Sequence, residues 1–331
     1  MEWWYVLLKG AVQGIAEFLP ISSSAHLVLF DVVTHELGWL QHTPDPYVVE
    51  FFDILLHLGT LTAVCLYFRK ELAQLLPYLP QALQAKTEPQ ANDARITFGN
   101  GTVWKPVALI RSLMITFFTT SVLVLVANKV GKFVLEALHL TTPIVHDLTQ
   151  FYQQHPMAVG VNLLILGGVL WLAEALGKRH TQANASVAEE TSSIKPRSLS
   201  LAQAVWIGVA QACAATFRGI SRSGSTMATS LLLGLSRSEA ATFSFLVSIP
   251  IFLAAFVYEG LKLMLEGGVP LETLPWIQML AGTVASGVVG YVGIAWLMQL
   301  IAKHSLKWFA VYVWLLGLGL LWFFSWHTPI S

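Results

Sequence analysis

Six stretches of the chain, residues 51–68, 107–127, 158–176, 243–259, 276–301 and 309–326, stay apolar without a serious break. Their lengths suit a hydrocarbon core about 30 Å thick, which asks for roughly 20 helical residues. Of 331 residues 55% are hydrophobic and only 11% charged, with a mean hydropathy of +0.63, too little polar surface to cover a water-soluble domain. An integral membrane protein made of helices is expected. A formal net charge of +0 leaves no basic face for a phosphate backbone, so nucleic acid is excluded as a partner. Cys65 and Cys213 both fall inside apolar stretches and read as packing residues, without a disulfide framework or a thiolate metal site. The opening "MEWWYVLLKG" carries Glu2 and tryptophans in place of a basic run, so no cleaved leader is expected.

Two further apolar regions, 3–33 and 201–235, are each interrupted by a serine-rich cluster, with Pro20 in one and Gly219 and Gly224 in the other. Backbone that leaves the helix at membrane depth needs protein or a water-filled cavity to satisfy its amides and carbonyls, so both regions are expected to be re-entrant hairpins around a polar cavity. "GAVQGIAEFLPISSS" (Gly10 to Ser24) and "GVAQACAATFRGISRS" (Gly208 to Ser223) share Gly-x-x-Gln and an Ile-Ser-x-Ser ending, with one residue added in the second. The connections 69–106, 177–200, 236–242 and 302–308 hold most of the lysines and arginines, whereas the alternate ones hold Lys129, Lys132 and Lys262. The first set is therefore cytoplasmic, and the two broken regions enter from opposite sides, an inverted-repeat plan. The expected organisation is one polytopic domain over 1–331. A first repeat over about 1–176 and a second over about 201–331 are joined by a solvated cytoplasmic linker at 177–200. His139, His146 and His155 are irregularly spaced and read as part of a wet outer loop instead of a metal site.

The chemistry concentrates in the breaks. Gln13 and Glu17 are four apart and share a helix face; a carboxylate there costs about 3 kcal/mol on insertion scales unless it meets protein, a cation or water. A structural ion pair would satisfy Glu17, but would not call for the hydroxyls of Ser22, Ser23 and Ser24 beside it. One serine serves as an N-cap for the helix that resumes at "SAHLVLF". His26, three past Ser23, is expected on the same face, where imidazole and hydroxyl meet as base and nucleophile. In "FRGISRSGSTMAT" (Phe217 to Thr229), Arg222 offers a guanidinium clamp. Ser221, Ser223 and Thr226 offer donors at a helix N-terminus that favours an anion. The competing reading is an Arg222 that only neutralises Glu17. A clamp leaves donors over for a ligand, whereas a structural bridge consumes them.

"QGIAEFLPISSSAH" together with "GISRSGST" resembles the undecaprenyl-diphosphate phosphatases of bacteria, the bacitracin-resistance family. Its signatures are (E/Q)xxxE followed by PxSSxxH, and PGxSRSxxT. The match extends to "FFDILLHLGTLTAV" and "FSFLVSIP" and so covers nearly the whole chain. The resemblance implies six transmembrane helices plus two re-entrant helical hairpins in an inverted-repeat arrangement. It implies removal of the terminal phosphate from a C55 polyprenyl diphosphate at the outer face of the inner membrane, which recycles the carrier lipid for cell-wall synthesis and confers bacitracin resistance. A divalent cation, Mg2+ or Ca2+, is the implied cofactor, with Glu17 its candidate ligand and Gln13 nearby. Residue by residue, Glu17, Ser23, His26 and Arg222 take catalytic places, and Gln13, Ser22, Ser221, Ser223 and Thr226 line the phosphate. Gln13 stands where many members have a second glutamate, and Arg218 replaces the proline of PGxSRS. His57 would face the cavity if Asp53 does.

The expected reaction has Ser23 as nucleophile helped by His26, with a phospho-histidine as the alternative. The partners expected are the lipid substrate and the membrane, with a homodimer as the assembly to be considered. The competing function is a transporter or flippase of an anionic polyprenyl lipid, since inverted repeats with half-helix ends aimed at an anion serve carriers too.

Overall fold

The computed structural model describes residues 1–39, 45–84, 94–137, 152, 155–188, 196–265, 272 and 274–327. His139 and His146 lie outside them. Twelve helices follow in order among the described residues: α1 (Trp3–Phe18), α2 (Ser23–Glu36), α3 (Pro46–Tyr67), α4 (Arg69–Leu75), α5 (Leu79–Leu83), α6 (Pro106–Ala137), α7 (Pro156–Ala188), α8 (Leu201–Thr216), α9 (Arg222–Leu232), α10 (Arg237–Leu265), α11 (Trp276–Lys303) and α12 (Lys307–His327). Six of them are long and apolar enough to cross a membrane, at Val48–Tyr67, Pro106–Phe133, Pro156–Gly177, Arg237–Leu261, Trp276–Lys303 and Lys307–Ser325. They coincide with the six apolar stretches of the sequence.

Three details depart from the sequence reading. Helix α7 continues to Ala188, so the first part of the connection read as linker is helical; "KRHTQANASVA" has no glycine or proline to stop it. The connection before α6 carries a small antiparallel ribbon, β1 (Ile96–Thr97) and β2 (Val103–Trp104), in an otherwise helical chain. Its Trp104 is fully buried and stacks on Phe243. Cys213, read as a packing residue, is exposed.

Both interrupted regions form a helix, a short break and a second helix. Leu19, the residue before Pro20, is extended (φ −67°, ψ 145°), as proline demands of its predecessor, and α1 stops there. Ser22 has a φ of 70°, a left-handed conformation rare in a residue with a side chain. It caps α2 by accepting from Ala25 N–H at 3.3 Å. In the second region Gly219 has a φ of 101°, and Ser221 caps α9 by accepting from Gly224 N–H at 3.0 Å. The two serines that align in the internal repeat thus perform the same local task. A Cβ on Gly219 would also lie 2.8 Å from the Val159 carbonyl oxygen. Asn162 fixes the neighbouring peptide by donating to the Arg218 carbonyl at 2.7 Å.

Each broken region packs its first helix against a spanning helix from the opposite half of the chain. α1 lies on α11 so closely that a Cβ on Gly10 would be 2.3 Å from the Gly282 carbonyl oxygen, the approach that small residues permit between membrane helices. α8 lies on α6, where Thr116 and Thr120 donate to the carbonyls of Ala204 and Gly208 at 2.9 and 3.1 Å, and Gln211 donates to Thr120 at 3.0 Å.

An ion cluster ties α1, α2 and α3. The fully buried Lys9 ammonium meets Asp31 at 2.9 Å and Asp53 at 2.8 Å, and Tyr5 donates to Asp31 at 2.8 Å. Removing one partner of a buried ion pair is far more damaging than replacing the whole set, because the charges left behind are uncompensated. Lys9→Met is therefore expected to lower unfolding stability in detergent by about 3–5 kcal/mol, measured by thermal or denaturant unfolding, and Lys9→Met combined with Asp31→Asn and Asp53→Asn to recover part of the loss. Gly219→Ala forces a side chain into a left-handed, occupied position and is expected to cost about 1–3 kcal/mol in the same measurement.

Candidate active site

The two breaks meet. Ser223, at the start of α9, donates to the Leu19 carbonyl at 3.0 Å, and Gly219 N–H donates to Ser24 Oγ at 3.4 Å. Between these two bonds the Arg222 guanidinium reaches Glu17, with Nη2 2.8 Å from Oε1. The other carboxylate oxygen, Oε2, accepts from Ser23 Oγ at 2.7 Å and from Gln13 Nε2 at 2.9 Å. Glu17 is buried, and three neighbours compensate its charge, as a carboxylate taken from water requires.

A cavity of about 310 Å3 opens over this cluster. Glu17, Ser22, Ser23, Ser24, Ser221, Arg218 and Arg222 line it, together with Asp53, His57, Glu50, Phe252 and Glu259. Arg222 lies over the face of Phe252, 4.3 Å from the ring centroid, a cation–π contact that leaves the plane of the guanidinium free for in-plane donors. Its Nη1 is buried and has no hydrogen-bond partner among the described residues. One edge of the guanidinium is consumed by Glu17 and a donor remains.

His26 is placed differently from the expectation. Its Nδ1–H donates to the Ser22 carbonyl at 2.7 Å, and its Nε2 meets the Tyr312 hydroxyl at 2.7 Å with the two rings stacked. The i, i+3 spacing from Ser23 holds, but Ser23 at the first turn of α2 swings back to Glu17 while the imidazole turns to the carbonyl of the strained cap residue. Imidazole and hydroxyl therefore do not meet, and the side chain bonded to Ser23 is Glu17.

Three residues assigned to phosphate face inward. Ser223 is committed to Leu19, and Thr226 is fully buried, donating between the Arg222 carbonyl at 2.8 Å and Gln211 Oε1 at 3.2 Å. Gln13 is also fully buried, behind Glu17. Ser221 and Ser22 stay at the cavity as caps. His57, reached in the sequence only through Asp53, lies with Nε2 3.6 Å from Glu17 Oε2. Lys9, the partner that occupies Asp53, is missing from the sequence reading. A lysine, with Asp31 and Asp53, inside apolar segments was the available signal, because charges there pair.

Among the described residues no group of three or more His, Cys, Asp and Glu is gathered for a metal ion. The oxygens at hand are those of Glu17 and the amide oxygen of Gln13, which is buried without a hydrogen-bond partner among the described residues. Such a sparse set suits a hard divalent ion of the kind held by one or two protein oxygens plus substrate phosphates, with water completing the shell.

The family described as "Bacitracin resistance protein BacA" matches residues 6–319. An undecaprenyl-diphosphatase of Rubrobacter xylanophilus is 33% identical over 312 residues, 94% of this chain and 94% of that protein. Proteins of the same name from Alcanivorax borkumensis and Geobacter metallireducens are each 32% identical, over 97% and 96% of this chain and 98% and 97% of theirs. With a match from the first helix to the last and with both serine-bearing breaks inside it, the chain belongs to the bacitracin resistance protein BacA family.

Proposed function

We propose that the chain is an intramembrane phosphatase that hydrolyses undecaprenyl diphosphate to undecaprenyl phosphate and inorganic phosphate. The observation that carries this reading is the joint placement of Ser23, Glu17 and Arg222 where the two breaks meet. It puts a hydroxyl, a base at 2.7 Å and a guanidinium with a spare buried donor around one cavity. A carrier needs binding groups only, and the hydroxyl bonded to a carboxylate favours hydrolysis.

Phosphoryl transfer asks a protein chiefly for position and for neutralisation of charge. Arg222 Nη1 and its Ser221 neighbour hold the terminal phosphoryl group. Ser23 Oγ attacks the phosphorus and passes its proton to Glu17 Oε2; the P–O bond of the anhydride breaks and undecaprenyl phosphate leaves. Arg222 stays bonded to Glu17 Oε1 and steadies the carboxylate while it changes charge. His26 acts at one remove, holding the Ser22 carbonyl so that the left-handed cap keeps Ser23 aimed at Glu17. Glu17, with Gln13 behind it, would be the ligand of a divalent ion, whose chemistry is to withdraw charge from the diphosphate oxygens.

The reading includes two re-entrant hairpins related as inverted repeats. It is supported by the matched tasks of Ser22 and Ser221 as caps and by the crossed packing of α1 on α11 and α8 on α6. Opening toward the outer face is supported by the cavity's Glu50, Asp53 and Glu259, which sit toward the ends of α3 and α10 opposite the lysine- and arginine-rich connections.

Purified protein given undecaprenyl diphosphate and a divalent salt is expected to release phosphate. Arg222→Ala should lower turnover by about 10²–10³-fold, and Glu17→Ala by roughly 10²–10⁴-fold. Lipid redistribution across liposomes without phosphate from the wild type would establish a carrier instead. Near-normal turnover of Ser23→Ala with a trapped phospho-histidine would move the nucleophile to His26. Chelation of divalent ions should suppress phosphate release, and Mg2+ or Ca2+ should restore it in the same assay.

A further inference from the structure

The reaction just described leaves one proton without a place. Once Ser23 carries the phosphoryl group, Glu17 holds the serine's proton and must return it to Oγ as the Ser–O–P bond breaks. A water that attacks the phosphorus at that moment also has to give up a proton, and Glu17 cannot act as acid toward Ser23 and base toward water in one step. A second base is needed on the cavity side of Glu17.

We propose that His57 is that base. The claim rests on the reading of Ser23 as nucleophile. His57 lines the cavity and its side chain is 36% exposed, against 4% for Glu17, so it stands between the buried carboxylate and cavity water. Its Nδ1 lies 2.7 Å from the Asp53 carbonyl oxygen. A carbonyl can only accept, so Nδ1 carries a proton, and in the neutral ring the lone pair is on Nε2. Nε2 lies 3.6 Å from Glu17 Oε2, beyond a normal hydrogen bond.

The ring is held for this task. Asp53, whose carbonyl fixes the tautomer, is anchored through its carboxylate to Lys9 at 2.8 Å. Phe252 meets His57 edge-on, 5.5 Å between centroids, and carries Arg222 on its face. The imidazole and the phosphate-binding guanidinium are therefore referenced to one aromatic ring. The charged groups around His57 are Glu17 from α1, Arg218 and Arg222 from the second break and the start of α9, Glu259 from α10, and Asp53 and Glu50 from its own helix. Asp53 is spent on Lys9, and Glu17 is committed to Ser23 and Arg222.

The second half-reaction then balances. Water oxygen bonds to phosphorus, the water proton goes to His57 Nε2, the Ser23 Oγ–P bond breaks, and Oγ recovers the proton from Glu17. His57 releases its proton through the open side of the cavity as phosphate departs. The first half-reaction does not use His57, and that asymmetry is what can be measured.

The test is rapid-quench and intact-mass analysis of the wild type, His57→Gln, His57→Ala and Ser23→Ala with undecaprenyl diphosphate and Mg2+. The expected result is a retained burst of one undecaprenyl phosphate per protein in His57→Gln, with steady turnover down about 100-fold. A phosphoryl adduct mapping to Ser23 should accumulate. His57→Ala should regain turnover with added imidazole, which a purely structural defect would not allow. The burst itself reports a folded site. Wild-type turnover in His57→Gln, or loss of burst and turnover together with no adduct and no imidazole rescue, overturns the role of His57 and leaves Ser23 standing if Ser23→Ala is inactive. Near-normal turnover of Ser23→Ala removes the nucleophile and His57's task together.

Discussion

The structure turns on a mutual debt between two interrupted helices. A break in a buried helix exposes amides and carbonyls that must find partners, and here each break supplies what the other lacks. Ser223 covers the Leu19 carbonyl, Ser24 covers the Gly219 amide, and between them the Glu17 carboxylate and the Arg222 guanidinium neutralise one another. Neither region would keep its irregular backbone alone. Because the connection is made of hydrogen bonds and one ion pair, the same atoms that stabilise the meeting point are polar enough to meet a phosphate.

The halves are alike in framework and unlike in chemistry. Ser22 and Ser221 both cap the helix after the break, and Gln13 and Gln211 both lie one turn or more before it. The first half then contributes the Glu17 carboxylate and the Ser23 hydroxyl bonded to it, and the second the Arg222 guanidinium. Dividing opposite charges between two similar scaffolds lets the site assemble only when both are in place, and it keeps the summed charge near zero, which lowers the cost of burial.

The six spans and the two breaks were legible because they depend on local composition: long apolar runs, a proline, and serine clusters where a helix cannot continue. The pairing of Glu17 with Arg222 was legible too, as one of two weighed outcomes, since charges in lipid must find partners. What the sequence could not convey is rotation about single bonds. Ser23 and His26 share a helix face, yet one swings to Glu17 and the other to the Ser22 carbonyl and Tyr312. Ser223 and Thr226 carry the right hydroxyls and commit them to buried partners, the Leu19 and Arg222 carbonyls and Gln211. His57 lies on a different helix from Glu17, and nothing in their separation along the chain brings them together. The role of Lys9 was hidden for another reason, because its partners come from two later helices.

That lysine has a consequence for how the chain enters the bilayer. Because α1 is made before α2 and α3, its ammonium group has no counter-ion until Asp31 and Asp53 arrive, and its release into lipid alone is opposed. Release of the three segments as one neutralised unit is the expected consequence, so that the cluster that anchors Asp53 at the edge of the cavity also bears on how the chain is inserted.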